Sequence, residues 1–488
     1  MSSIKTNIIL NGLNTITGIV FPVITFPYAA RVLQPEGIGT VNFLNSIILY
    51  IILFSTLGIP AYAVREVAKH RDNKLSRDRF VVEILSLSFM LCLCAYVAVF
   101  LMARFIPQIH SNQTLFYILS LSIFFTSIGS EWFYQGIEDF KFITIRAIAI
   151  RTLAALSLFV FVRSSSDLIA YGIVMVGTTV GNYIANFVHL RKYISIRDIK
   201  FKDLQIISHL RPALNIFALT LITTLYLLLN SVMLGFISGD EAVGFFTAGN
   251  KITNICLTLI TSLGTVLLPR CSHLIKSGDM ERFSAVINKS LNLTMTLALP
   301  ITVGLMLLAA PITMIFCGAE FSKSIPVLYI SAPIIVFISL TNLMGIQILY
   351  PMDKIRLLII GASGGAVMNI CLNLMLMPPL GATGAAIATF AAELAVLVIQ
   401  IVLGRSYYPF KISELIKWKV ITATTVMGIA IYLSQIFPIP DLGRLIIGFC
   451  VGITVYAVTL WILKDRTFFE IIDLIKAKTT THKGIECD

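Results

Sequence analysis
The chain has 488 residues, of which 57% are hydrophobic and 13% charged, and its mean hydropathy is +0.89. Soluble globular domains carry about 25% charged residues, so this chain cannot cover a water-facing surface and lipid must solvate most of its side chains. The formal net charge of +12 raises nucleic acid as a partner, but the placement of the charges excludes it.

The N-terminal run has one lysine before about 25 apolar residues. A secretory h-region has about 7–15, so a retained first helix is expected. A bilayer core needs about 20 apolar residues in helix, and only helices or closed barrels satisfy the backbone there. The runs are long and lack period-2 alternation, which predicts an all-α polytopic membrane protein of about fourteen helices: 8–33, 38–64, 80–104, 113–136, 142–162, 167–189, 211–236, 242–269, 286–310, 324–350, 355–377, 382–404, 418–437 and 442–463.

Basic residues gather in alternate connections: Arg65 to Arg79, Arg191 to Lys202, Arg270 to Arg282, Arg405 to Lys417, and the tail from Lys464 to Lys483. The other connections hold about five, namely Arg31, Arg104, Arg163, Lys323 and Arg444. By the positive-inside rule both termini are cytoplasmic. Every connection on the opposite side is about a dozen residues or fewer, too short for the site of a membrane glycosyl polymerase or ligase. Neither a phosphate-binding lysine loop nor an H-E-x-x-H motif occurs, and the cysteines lie mostly inside apolar runs, as small buried residues. No enzyme activity, metal or cofactor is expected.

One internal echo stands out. "PEGIGTVNFLNSI" (35–47) matches "DEAVGFFTAGNKI" (240–252), pairing Glu36 with Glu241, Gly39 with Gly244 and Asn45 with Asn250. The offset of 205 residues spans six helices, an even number, which predicts a parallel repeat about an axis along the membrane normal. Two pseudo-symmetric six-helix lobes follow, 1–209 and 210–404, with two further helices and a tail in 405–488.

Ionisable groups inside spans cost a few kcal/mol each and usually face the bundle interior. Arg31, Arg146, Arg151 and Lys251 are the candidate cavity cations, and Glu131 and Glu393 the candidate gate or structural carboxylates. Asparagines recur one turn apart, on one helix face each: Asn14 with Asn11, Asn45 with Asn42, and the pairs Asn182 and Asn186, Asn250 and Asn254, Asn369 and Asn373. They read either as hydrogen-bonding glue between helices or as the lining of a hydrophilic chamber. Pro22, Pro27, Pro60, Pro300, Pro326 and Pro333 invite kinks.

The stretch "TSIGSEWFYQGIEDFK" (126–141) interrupts this apolar sequence. Trp132, Phe133 and Tyr134 read as an interfacial aromatic belt, Glu138 to Lys141 as a wet turn. Glu131 can pair with Arg146 or Lys141 across the hairpin.

With "FPYAARVLQPEGIGTVNF" at 26–43, "VMLGFISGDEAVGFFTAGNKI" at 232–252, "LGTVLLPRCSHL" at 263–274 and "GATGAAIATFAAE" at 381–393, this stretch resembles the bacterial polysaccharide repeat-unit flippases. These are the O-antigen and exopolysaccharide exporters of the multidrug/oligosaccharidyl-lipid/polysaccharide superfamily. The resemblance implies two six-helix lobes, two extra helices and alternating access. It implies a cargo of undecaprenyl-pyrophosphate-linked oligosaccharide, moved between leaflets of the bacterial plasma membrane for surface polysaccharide assembly. It also implies a proton or sodium gradient as a candidate drive, and a polymerase and chain-length proteins as candidate partners. Asn230 stands where many members carry an acidic residue. A drug or cation antiporter of the same superfamily is the alternative.

Overall fold
A computed structural model of the chain describes residues 4–195, 199, 202, 204–470 and 472–473, and their side chains except at 4–9, 11, 218–220, 222–227, 263, 265, 266 and 412. Within the basic segments above, Arg197, Lys200, Lys476, Lys478 and Lys483 lie outside this set, as does the Asn11 side chain. The described residues form helices and no strand. Twelve helices among them are long and apolar enough to cross a membrane. One run, Gly12–Thr56, has 45 residues, about twice what one crossing needs. The chain divides by its contacts into two units, Met1–Thr247 and Ala248–Asp488.

The first unit contains α1 (Ile4–Thr56), α2 (Ile59–Lys69), α3 (Lys74–Phe105), α4 (Pro107–His110), α5 (Gln113–Ile128), α6 (Glu131–Gly136), α7 (Phe140–Phe161), α8 (Leu168–Leu190), α9 (Leu210–Ser238) and the start of α10 (Asp240–Lys276). The two helices expected at 8–33 and 38–64 are the two limbs of α1, bent at Gln34 (φ 62°, ψ 176°). Pro35 follows the bend; it cannot donate to the helix and disfavours the helical region for the residue before it. Pro22 and Pro27 stay within the helical run. The expected span 38–64 is not continuous. It breaks at Leu57 and Gly58, which have φ of 43° and 73°, and Pro60 sits in the first turn of α2, where its missing N–H costs nothing. The expected span 113–136 likewise breaks at Gly129 and Ser130.

The internal echo has a structural counterpart. Gln34 and Gly239 stand 205 residues apart, immediately before the two matched segments, and share one backbone geometry, Gly239 having φ 84° and ψ 175°. Only glycine adopts this region at little cost. The matched segments then cross, glycine to glycine. A Cβ on Gly39 would land on the Asp240 carbonyl oxygen, and one on Gly244 on the Pro35 carbonyl oxygen. Thr40 Oγ1 donates to Asp240 Oδ2 at 2.5 Å beside them.

The second unit holds the rest of α10, then α11 (Met280–Leu307), α12 (Ala309–Phe316), α13 (Ser324–Ser331), α14 (Ile334–Asn342), α15 (Ile355–Leu380), α16 (Ala382–Gly404), α17 (Trp418–Gln435) and α18 (Asp441–Ile462). The expected span 324–350 is divided. Pro333 caps α14 and separates it from α13, and Leu343–Leu349 is π-helical. The expected span 286–310 ends at Leu307. The helices α15 and α16 pack closely because small residues allow it: Gly365 faces the Ala392 carbonyl oxygen and Val396, and Gly384 the Leu376 carbonyl oxygen.

The crossing makes stability predictions that thermal melts of purified protein in detergent can read. Gln34→Gly relieves the strained backbone and stabilises by about 1–3 kcal/mol. Gly39→Ala and Gly244→Ala each destabilise by about 1–3 kcal/mol, the usual cost of overpacking. Gly177→Ala, inside α8 with a methyl that meets nothing within 4 Å, does not destabilise and gains about 0.5–1 kcal/mol of helix propensity. A Gly39→Ala melt equal to wild type would contradict the crossing.

Candidate functional site
At one end of the first unit three connections are tied together. Arg71 donates to the Ile137 carbonyl oxygen at 3.0 Å and pairs with Glu138 at 3.3 Å. Arg77 donates to the Tyr193 carbonyl oxygen at 3.1 Å, and Asp78 accepts from the Ser195 N–H at 3.0 Å. Glu83 accepts from Arg79 Nε, the Gln205 N–H and His209 Nε2 at 2.8–3.0 Å. This is the end that carries the basic loops. Trp132, Phe133 and Tyr134 lie beneath these connections at 6%, 0% and 0% exposure, packed with Tyr62, Phe80 and Ile84. They are core, not the expected interfacial belt. The break at Gly129 and Ser130 turns α6 inward, and Tyr134 gains a partner there by donating to the Asn186 carbonyl oxygen at 2.7 Å. A buried tyrosine needs such a partner.

Glu131 opens α6 and meets Arg146 of α7, the first of its two expected partners, at 2.9 Å. Lys141 is exposed. The Arg146 guanidinium is enclosed. Its Nε donates to Asn182 Oδ1 at 3.0 Å, its Nη1 to Asn186 Oδ1 and its Nη2 to Glu131 Oε2, and its plane lies over the Phe142 ring. Each nitrogen of the guanidinium has a partner, and one partner is anionic. The asparagine pair of α8 thus serves Arg146.

Arg151 is five residues further along α7 and faces α1. Its Nη1 alone makes three hydrogen bonds, to Asn14 O at 3.0 Å, Asn14 Oδ1 at 3.0 Å and Thr17 Oγ1 at 2.8 Å. Its Nη2 and Nε have no partner among the described residues. The guanidinium lies over Gly18, where an added Cβ would sit 3.6 Å from Nη2. Arg151 is half-buried, and its direct partners are neutral. Two arginines on one helix are therefore held in opposite ways: Arg146 is neutralised, while Arg151 is positioned and keeps its charge.

The other predicted residues do not join this cluster. Arg31 is exposed on α1, and Asn45 is half-buried on the same helix. In the second unit, Asn250 and Lys251 are half-buried on α10 and Asn254 is exposed. Asn369 and Asn373 are fully buried on α15, Asn373 Nδ2 donating to Asn369 Oδ1 at 2.9 Å. Glu393 is buried at 7% exposure on α16. The run Gly361–Gly365 reads G-A-S-G-G and formally fits G-x-S-x-G, against the expectation that the chain has no such motif. It lies inside the continuous helix α15, where the strand-to-helix elbow that motif needs cannot form. Among the described residues no group of three or more His, Cys, Asp or Glu could hold a metal.

Sequence reasoning missed Thr17 and a pocket of about 200 Å³ between the ends of α1 and α5. Thr17 was within reach, since it stands one helical turn from Asn14. The pocket was not, because it exists only where two helices break.

Glu131→Ala strands the Arg146 charge at 5% exposure. Breaking a buried pair costs about 3–5 kcal/mol, and Glu131 is about one-third exposed, so a loss of about 2–3 kcal/mol is expected. In a double-mutant cycle read by thermal melting, Glu131→Ala with Arg146→Ala loses less than the sum of the single changes. Strict additivity would show that the pair does not couple.

Known proteins resemble this chain in sequence and in fold. A family model described as "Polysaccharide biosynthesis protein" matches residues 4–275. A protein of Escherichia coli (strain K12) named "Putative O-antigen transporter" is 26% identical over 415 residues, covering 83% of this chain and 97% of that protein. The "Lipid II flippase MurJ" of Bacillus subtilis (strain 168) is 25% identical over 190 residues, 38% of this chain and 35% of that protein. Among solved structures, lipid II flippase MurJ in an inward closed conformation superposes with a TM-score of 0.76 at 17% identity, over 94% of this chain and 98% of that one. An inward-facing multidrug resistance transporter of the MATE family superposes with a TM-score of 0.65 at 15% identity, over 81% and 94%. Likeness at such low identity shows the fold alone, and that fold is shared by flippases and drug exporters. The matched model covers more than half of the chain, which therefore belongs to the polysaccharide biosynthesis protein family.

Proposed function
We propose that the chain is a flippase that carries an undecaprenyl-pyrophosphate-linked oligosaccharide from the cytoplasmic to the outer leaflet of the bacterial plasma membrane by alternating access. The family assignment and the names of the two bacterial relatives support a lipid-linked glycan cargo. The distribution of Lys and Arg supports cytoplasmic termini. A proton or sodium gradient is the proposed drive, and a polysaccharide polymerase and chain-length proteins are the proposed partners.

The observation that carries the reading is Arg151. It is the twelfth of 22 residues of α7, roughly 16 Å from either end at 1.5 Å per residue. A cation at mid-span costs about 2.5–3.5 kcal/mol, and among the described residues no carboxylate makes a hydrogen bond or ion pair with it. Asn14 and Thr17 hold one edge of the guanidinium by Nη1, leaving the Nη2 and Nε edge. That edge is the fork that receives two oxygens of a phosphate. A pyrophosphate headgroup supplies the missing negative charge, and the sequence offers few other reasons to keep a charge there. A cationic drug would be repelled by the same group, which weighs against the antiporter alternative.

Arg151→Ala should lower the surface polysaccharide of complemented cells about 10–100-fold at equal protein level, as expected for loss of a charge-assisted hydrogen bond worth about 1.5–3 kcal/mol. Arg151→Lys keeps the charge without the fork and should fall between. Wild-type amounts of polymer from Arg151→Ala would remove Arg151 from the mechanism.

A further inference from the structure
The pocket between α1 and α5 adjoins the arginine cluster through Glu131, but the rest of its lining has a different chemistry. It lies where both helices break, and Ser55, Thr56, Ser127, Glu131 and Trp132 form its wall with Tyr183. The hydroxyls are already committed as donors. Ser55 donates to the Ile52 carbonyl oxygen at 3.0 Å, Thr56 to the same oxygen at 2.9 Å, and Ser127 to the Ile123 carbonyl oxygen at 2.9 Å. Each hydroxyl has one proton, so toward a ligand these three oxygens can act only as acceptors, while Gln135 Nε2 on the same wall can donate. Glu131 adds a carboxylate whose Oε2 is held by Arg146 and whose Oε1 is only 3.5 Å from Gln135 Nε2, a weak bond. An acceptor-rich wall with a carboxylate rejects a phosphate and takes a ligand that brings its own O–H and N–H donors.

Size narrows the ligand further. A volume of about 200 Å³ is far above the roughly 10–15 Å³ that one water needs, so it is not the tight cage a bare cation requires. It is also below the 300–1,000 Å³ of pockets for drug-sized ligands, so it does not take a whole oligosaccharide. One pyranose ring fits that interval. Trp132, 6% exposed and fixed by core packing, reaches the wall and adds apolar surface there.

We propose that this pocket is a monosaccharide subsite: it takes one neutral or amino-sugar ring of the cargo by its hydroxyl and amide donors, apart from the arginine that takes the phosphate. The inference rests on the flippase reading and names the part of the cargo this site recognises. Recognition is thereby divided between two chemistries on one lobe, an acceptor pocket for sugar and a cation for the headgroup.

The test uses full-length protein in nanodiscs with Trp418→Phe and Trp461→Phe, which leave Trp132 as the reporter. The probes are the repeat-unit oligosaccharide released from its lipid by mild acid, inorganic pyrophosphate, and sodium chloride at constant ionic strength. The oligosaccharide should change Trp132 emission saturably, and neither pyrophosphate nor sodium should. Thr56→Val, which removes one acceptor at constant shape, should weaken the response about 2–10-fold. Ser127→Leu, which fills the pocket, should abolish it, while Arg151→Ala should keep it. No response to sugar, a response to sodium alone, or an undiminished response in both Thr56→Val and Ser127→Leu overturns the subsite. Surface polysaccharide in complemented cells separates the two claims. If wild type restores it and Thr56→Val and Ser127→Leu match wild type, the subsite falls and the flippase reading stands. If wild type does not restore it, the flippase reading falls.

Discussion
A guanidinium inside a membrane helix must be neutralised, solvated or reserved for an anion, and α7 carries two. The lipid makes the choice sharp, because a charge at mid-span is costly while its hydrogen-bond donors have no water to fall back on. Arg146 satisfies the constraint internally, with Glu131 and the two asparagines of α8. Arg151 satisfies half of it, with neutral partners on one edge. The rest of the first unit can be understood as the frame that holds these two groups five residues apart in different surroundings.

Much of that frame is built from interruptions. A bend at Gln34 and Pro35 divides α1, Gly129 and Ser130 turn α6 inward to bring Glu131 to Arg146, and Leu57 and Gly58 end α1 beside the pocket. A straight bundle would satisfy its backbone more easily, yet it would supply neither the buried ion pair nor the recess. The glycine crossing of the two repeat segments shows the same trade. Gln34 adopts a backbone region that suits glycine because its counterpart at position 239 is a glycine in the same geometry. The repeat sets the fold, and the residue at 34 bears the strain.

The sequence showed the solvent, the class and most helix limits, because length and apolarity are set by the bilayer itself. The helix at 382–404 was bounded to the residue, since Gly381 precedes and Gly404 closes a run whose one charge is Glu393. Breaks inside spans were less visible. Pro60 and Pro333 read as kinks, but whether a proline bends a helix or starts a new one depends on the backbone before it, and Leu57 and Gly58 gave no composition signal. The aromatic triplet 132–134 was misplaced because apolar rings near a wet turn look alike at an interface and in a core, and only the partner of the Tyr134 hydroxyl distinguishes them. Of the candidate cations, sequence could find depth but not partners. Arg146 and Arg151 were indistinguishable until the geometry separated them.

The central claim is that Arg151 is positioned to take the charged headgroup of a lipid-linked glycan that crosses the membrane. A leaflet-accessibility assay tests it most directly: purified protein is reconstituted in vesicles with a defined undecaprenyl-pyrophosphate-linked oligosaccharide, and a membrane-impermeant reagent reports which sugars have changed sides. The account predicts protein-dependent exchange for wild type and exchange at the protein-free rate for Arg151→Ala. Exchange by Arg151→Ala as fast as wild type, or none by wild type itself, would contradict it.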